Sequence, residues 1–261
     1  MTDASDSPIT PRALSIDEAA ALPFDAVRTA RTLLHAARTA AIATVDPGSG
    51  YPYNMVTNLA LGADGAPCFF AAAISLHARN LEADDRVAVA IAPEGPGDAL
   101  TLPRLTLIGR AIRLDGEAFA RASRRYVARH PKSKLYLALP DARLYRVNVE
   151  DLKLNGGPAR NAAQITPADL AIGLAGAEAL LAAGEGEIER LNALAGESSR
   201  LAVLAGARPG RWRVSGIDPD GLDLVSREAT ARLWFPFRVE TPEQLRRAIA
   251  APAGDRGSVS Q

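Results

Sequence analysis

Residues 40–74 read AAIATVDPGSGYPYNMVTNLALGADGAPCFFAAAI, three apolar runs parted by two turns. The turns DPGSG and GADGAP join glycine and proline to aspartate, and AAIATV, YPYNMVTNLAL and CFFAAAI are of strand length. That rhythm predicts antiparallel strands joined by hairpins. Upstream, FDAVRTARTLLHAART sets Val27, Ala30, Leu33, Leu34 and Ala37 at helical spacing, with Asp25 near the start, where a carboxylate suits unpaired backbone donors. Downstream, SLHARNLEADD carries Leu76 and Leu81 at helical spacing and predicts a short helix crossing to the strand RVAVAIA.

The pattern continues with RLTLIGRAIRL, a long strand with a bend or bulge at Gly109. GEAFARASRRYVARHP is a basic helix halted by Pro131 and is expected to show solvent a charged face. ARLYRVNVEDLKLNGG closes the series, with Leu144, Arg146, Asn148 and Glu150 opposed to Tyr145, Val147 and Val149. Six short strands at regular spacing favour a closed antiparallel barrel, which leaves no exposed edge. After Pro167 the chain turns alanine-rich and helical, with an interruption expected at AAGEGE, residues 182–187. A DPDG turn between strands follows, and then a terminal helix opened by Thr241, Pro242 and Gln244. Helices and strands kept in separate runs indicate an α+β protein.

Thirty basic residues balance thirty acidic ones in 261, so no global field recruits nucleic acid or an anionic membrane. Any ligand must be recognised locally. Neither a signal-peptide pattern nor a long apolar span is present in the sequence, so a soluble cytoplasmic protein is expected. The lone Cys68 reads as a small buried hydrophobe, and three scattered histidines give no zinc spacing, so no metal is predicted. His130, before Pro131, is expected as a partly charged imidazole favouring a helix C-terminus.

ARTLLHAARTAAIATVDPGSGYPYNMVTNLAL, ISLHARNLEADDRVAVAI and PRLTLIGRAIRL, in that order, resemble the pyridoxamine 5'-phosphate oxidase-like FMN-binding split barrels. The resemblance is closest to the branch of HugZ-type haem oxygenases and plant glutamyl-tRNA reductase-binding proteins, whose C-terminal domain VSGIDPDGLDLVSREATARLWFPF and TPEQLRRAI resemble. It implies an N-terminal six-stranded antiparallel split β-barrel with peripheral helices over residues 17–165, and a small α+β C-terminal domain over 166–251. Residues 1–16 and 252–261 are expected to be disordered tails. The resemblance also implies a homodimer with two equivalent ligand sites at the subunit interface.

Carried onto this chain, the family's FMN-phosphate turn is Ser75, His77, Arg79 and Asn80, with Thr57 and Asn58 on the preceding ribbon and Arg160 after the double glycine of NGGPAR. Ser75 also reads simply as a helix cap. A helix N-terminus together with a forked cation is a natural oxyanion site. The chain departs from the oxidase itself, which has basic residues where Met55–Ala60 and Leu76-His77 stand here, so pyridoxamine phosphate oxidation is not expected. It also departs from haem-degrading relatives, because no histidine follows His130 and RLNALAGES, residues 190–198, keeps only Asn192 of their histidine-bearing pattern. The leading expectation is FMN or a similar anionic planar ligand, serving a flavin-dependent oxidoreductase whose catalytic residues the sequence does not assign. The alternatives are haem binding or degradation, with an axial water, His35 or His77 toward the iron, and a non-catalytic interaction module.

Overall fold

The computed structural model describes residues 24–93, 98–158, 160 and 165–250. The expected terminal tails lie outside these residues. Helix α1 (Ala26–Ala36) opens the described chain, capped as expected by Asp25, whose side chain accepts from the Arg28 amide at 2.8 Å. Strands β1 (Thr39–Val45), β2 (Pro52–Leu61) and β3 (Pro67–Ala72) follow, then α2 (Leu76–Ala83), β4 (Arg86–Ile91) and β5 (Arg104–Leu114). Helix α3 (Gly116–Arg129), a 3₁₀ turn, the short α4 (Lys134–Leu137) and β6 (Ala142–Asn155) complete this half. All pairings are antiparallel, and the strands close as β1-β2-β3-β6-β5-β4.

Period-two alternation closes the barrel. Ala40 and Ile42, Leu59 and Leu61, Phe69, Val87 and Val89, Leu105 and Leu107, and Tyr145 and Val147 point inward with Leu33 and Leu34 of α1, as one core. Each fully buried large side chain contributes about 1.5–3 kcal/mol. The opposite face is not uniformly polar. Ala60, Phe70 and Leu144 point outward yet meet Tyr126, Phe119, Tyr136 and Leu137 from α3 and α4.

The irregularity expected at Gly109 is present, but the extra residue is on β6, since Ile108 pairs with Asp151 and Gly109 with Val149, leaving Glu150 unpaired. A Cβ on Gly109 would stand 1.9 Å from the Asn148 carbonyl oxygen, so only glycine lets β6 approach there. Gly109→Ala is expected to cost about 3 kcal/mol, the upper end of overpacking effects, read as a fall in urea midpoint. An unchanged midpoint would mean that the bulge relaxes freely.

The C-terminal part holds α5 (Pro167–Leu170), α6 (Glu178–Ala193), α7 (Glu197–Leu204), a sheet β7 (Arg213–Asp218), β8 (Gly221–Val225) and β9 (Thr230–Trp234), and α8 (Pro242–Ala250). Its core gathers Leu180, Leu191, Leu201, Val214, Leu222, Leu224 and Leu245. The expected interruption at 182–187 does not occur, and α6 runs through Gly184 and Gly186. Packing overrides the glycine penalty. Leu180 and Leu191 are buried, and buried Glu187 binds Arg190 and Arg246, each at 2.7 Å. The expected opening of the last helix is present, with the Gln244 amide donating to Thr241 Oγ1 at 3.3 Å and Gln244 Oε1 accepting from the Glu240 amide at 2.7 Å.

The solvated-face reading of α3 is corrected at two positions. Arg125 donates to the carbonyls of Leu61 at 3.1 Å and Ile217 at 3.0 Å, and buried Arg129 to those of His35 and Ala37 at 2.7 and 2.5 Å. These guanidiniums tie the barrel, α1 and the C-terminal sheet together, because each offers several donors to carbonyls that no strand partner satisfies. His130 is likewise corrected. It is buried and its ring nitrogen meets the Leu59 carbonyl at 2.8 Å, while burial pushes its pKa down to about 4. It is therefore a neutral donor.

Candidate functional site

Strand β3 ends at Ala72, paired with Ala142 of β6, and the chain turns through Ala73, Ile74 and Ser75 into α2. The Ala73 amide donates to Asp141, and the Ser75 amide to Ala72, both at 2.9 Å. Ser75 adopts extended backbone, accepts from the Ala78 amide at 3.4 Å, and donates its hydroxyl proton to the Ala72 carbonyl at 2.6 Å. With that proton spent, His77 Nε2, 3.3 Å away, is the donor to Ser75 Oγ. Burial holds the His77 imidazole below its ordinary pKa. Arg79, one helical turn on, is exposed, with no partner for its guanidinium among the described residues.

Residues 57 and 58 share this corner. The β2–β3 ladder ends at Leu59 and Phe69, and Asn58 and Thr57 precede that pair on β2, opposite Thr39 and Ala40 of β1. Asn58 Nδ2 donates to the Tyr136 hydroxyl at 3.3 Å, and the Tyr136 ring packs on Phe70 with centroids 4.5 Å apart. Tyr136 has no motif to announce it, and only the return of α4 onto β3 brings it here. Arg143 is a second addition. It lies opposite Ala71 on β6 and pairs closely with Glu82 of α2.

Two sequence-level candidates sit elsewhere. Asn80 is 1% exposed and its amide donates to Thr44 Oγ1 at 3.1 Å, so it pins α2 to β1. Arg160 is exposed beyond the far end of β6. Fourteen residues separate the Ser75 corner from that end, about 40 Å of extended chain. Within one chain, Arg160 and Arg79 do not converge. Asn80→Ala is expected to lower stability by about 1 kcal/mol through loss of the bond that ties α2 to β1, the Thr44 hydroxyl keeping its own bond to the Tyr53 carbonyl, with circular dichroism melting as the check.

The corner is framed by apolar side chains in solvent. Val56 is 72% exposed, Ile74 79%, Leu135 79% and Leu139 52%. The hydrogen bond from the Ala142 amide to Leu139 and that from Ala73 to Asp141 hold the α4–β6 loop, with Leu139, against the turn that carries Ile74. The arrangement offers a cation and unpaired first-turn amides of α2 to an oxyanion, beside a tyrosine-lined wall and an apolar rim.

The remaining histidine outside the barrel wall is spoken for. His35 is 1% exposed, its Nδ1 lies 3.0 Å from Asp223 Oδ1, and its ring meets the edge of Trp234. His35, Asp218 and Asp223 bring ligand-type atoms within 4.8 Å, but the Arg232 guanidinium lies among them, 2.6 and 3.2 Å from the two carboxylates. That centre already holds its cation, and His35 is not open to an iron. Asn192, retained from the haem-branch pattern, bonds both the amide and the carbonyl of Val214, at 2.8 and 3.0 Å. Its role is to tie α6 to β7.

No helix among the described residues is long and apolar enough to cross a membrane. No functionally curated protein matches the chain. Among solved structures, a protein of unknown function from Agrobacterium tumefaciens str. C58 is 56% identical, with 94% of this chain and 99% of that one covered and a TM-score of 0.83. A heme binding protein from Mycobacterium smegmatis is 26% identical over 87% of this chain and 96% of that one, with a TM-score of 0.52. The model of the CREG β-barrel family matches residues 23–168, the span of the closed six-stranded barrel. The chain thus belongs to the CREG β-barrel family.

Proposed function

We propose that the barrel binds FMN or a closely similar anionic planar ligand at the interface of a cytoplasmic homodimer, with the Ser75 corner holding the anionic end. The observation that carries this reading is an unpartnered Arg79 at the start of α2, after a turn that carries exposed Ile74 and is held against the loop of exposed Leu139. A solvated single chain leaves those apolar side chains uncovered at a cost, and a second copy covers them. The donors fit a phosphate. Ser75 Oγ is committed to Ala72 and Ala78, so Arg79 and the Leu76 and His77 amides are the groups left to face it. In this reading Thr57 and Asn58 lend neighbouring polar groups, and Arg160 comes from the partner subunit. Bound FMN would supply redox chemistry, and the protein would hold the phosphate and exclude water. In this reading the chain divides near residue 165 into a ligand-binding barrel and a C-terminal unit buttressing α1.

A haem reading rests on the heme binding relative from Mycobacterium smegmatis. His77 is the residue it would use, since His35 and His130 are both buried and bonded. The deciding measurement is titration of purified protein with FMN, followed by flavin fluorescence, and with haem, followed by the Soret band. FMN quenching is expected, and Arg79→Ala is expected to weaken it about 10- to 100-fold, the worth of a charge-assisted hydrogen bond. A Soret shift lost in His77→Ala, without FMN quenching, would replace the flavin by haem. Neither signal at about 50 μM ligand would remove both readings.

A further inference from the structure

A second hollow lies away from the Ser75 corner. The β3–β6 ladder stops at Cys68 and Arg146, and beyond it the β2–β3 turn leaves β6, opening a cavity of about 370 Å³. Asp64–Pro67 form one wall, Arg146–Val149 the other, Leu34 of α1 the floor, and Pro167, Ala168, Leu170 and Ala171 the roof. The roof is fastened down. The Ile172 amide donates to the Asp64 carbonyl at 3.0 Å, and the Thr166–Asp169 capping box fixes α5. Gly65, at φ +79°, passes so close that a Cβ would stand 3.1 Å from the Leu170 carbonyl oxygen.

The polar side chains on the walls are Asp64, Arg146 and Asn148. Asp64 spends one carboxylate oxygen on the Ala66 amide at 3.2 Å and the other on Arg146 Nη1. Arg146 Nε donates to Asn148 Oδ1 at 3.3 Å. Arg146 Nη2 and Asn148 Nδ2 have no partner among the described residues and are the side-chain donors left to a molecule in the cavity. The charge of Arg146 is balanced by Asp64 at contact distance, so an incoming carboxylate meets attraction and repulsion of similar size and still has to shed its water. A neutral carbonyl keeps the hydrogen bonds without that desolvation cost.

We propose that this cavity is a binding site for a compact apolar molecule bearing one uncharged carbonyl, an amide or ketone, held by Arg146 Nη2 and Asn148 Nδ2 over Leu34, Val147, Val149 and Leu170. Its volume lies within the range of small-molecule sites. The site is independent of the flavin reading, since β6 carries the two hollows at different points along its length.

The test uses the full chain with methyl-labelled Leu and Val, titrated with acetophenone and, separately, benzoate, an isostere bearing a charge. Acetophenone is expected to shift the methyls of Leu34, Val147, Val149 and Leu170 with saturation at millimolar concentration. Benzoate is expected to bind about tenfold more weakly. Asn148→Ala, an exposed position, is expected to weaken acetophenone about 5- to 10-fold, one hydrogen bond, and Ala168→Phe at the rim to abolish the shifts, both with unaltered melting temperature. Absent shifts, shifts at other methyls, equal binding of benzoate, or insensitivity to both substitutions would each overturn the assignment.

Discussion

Replacing Arg232 by leucine is expected to remove about 3–5 kcal/mol of stability, the cost of leaving a buried charge without its partner. The guanidinium is 2% exposed and binds Asp218 at 2.6 and 2.7 Å and Asp223 at 3.2 Å, and it lies 4.5 Å from the Trp234 ring centroid. Burial alone would raise the Asp223 carboxyl, yet Arg232, seconded by His35, holds it well below the carboxylate range. Burial similarly opposes the charge on Arg232, and Asp218 and Asp223 reverse that. Remove the cation and both carboxylates remain in a dry site. Asp218 retains the turn amides of Asp220 and Gly221, at 2.9 and 3.1 Å, so Asp223 is left worse off. Arg232→Leu with Asp223→Asn is therefore expected to recover part of the loss. Urea unfolding measures both, with Arg121→Ala as control. Arg121 and Glu117 form an exposed helix pair worth about 0.5 kcal/mol or less. An Arg232→Leu variant as stable as that control would show that water reaches the centre.

Acid is expected to weaken the fold well before its carboxylates protonate. His130 is pushed down to about 4 by burial, from 6.5, and His35 is lowered by burial and then by Arg232. The unfolded chain takes up protons on both rings below pH 6.5 that the folded chain refuses. Stability is thus full above pH 6.5 and falls as the pH drops towards about 4, after which His130 contributes no further slope. For His130 the difference amounts to about 3 kcal/mol between those limits, and His35 adds to it with the same sign. Urea unfolding at pH 7.5 and 4.5 reads the loss, and His130→Gln, which keeps a donor for Leu59, is expected to shrink it, with His35 and His77 supplying the remainder. A loss undiminished in that variant would move the proton uptake to other groups.

These two predictions involve residues that the sequence left bland. His35 and His130 are spaced ninety-five positions apart, with nothing in their neighbours to tell an exposed imidazole from a buried neutral one. Arg125 and Arg129 look like any basic helix face, and only the packing of α3 between barrel and C-terminal sheet aims them at carbonyls. Tyr136 and Arg143 escaped notice at the Ser75 corner for the same reason. They reach it through a fold-back that no local pattern encodes. Ser75 itself was legible, because a serine before a short amphipathic segment is a cap whatever else it does.

What the sequence determined by itself was local and periodic. Alternation with a step of two in the runs from Thr39 to Leu61 and from Arg104 to Leu114, and the demand for glycine at position 109, are written in side-chain order, since a strand's two faces follow from its backbone pleat. The tertiary structure decided what lies against each face. It set Arg232 rather than water between Asp218 and Asp223, carried α6 through two glycines, and separated Asn80 and Arg160 from Arg79. Burial, charge compensation and convergence depend on groups far apart in the chain, and no short stretch of residues contains them.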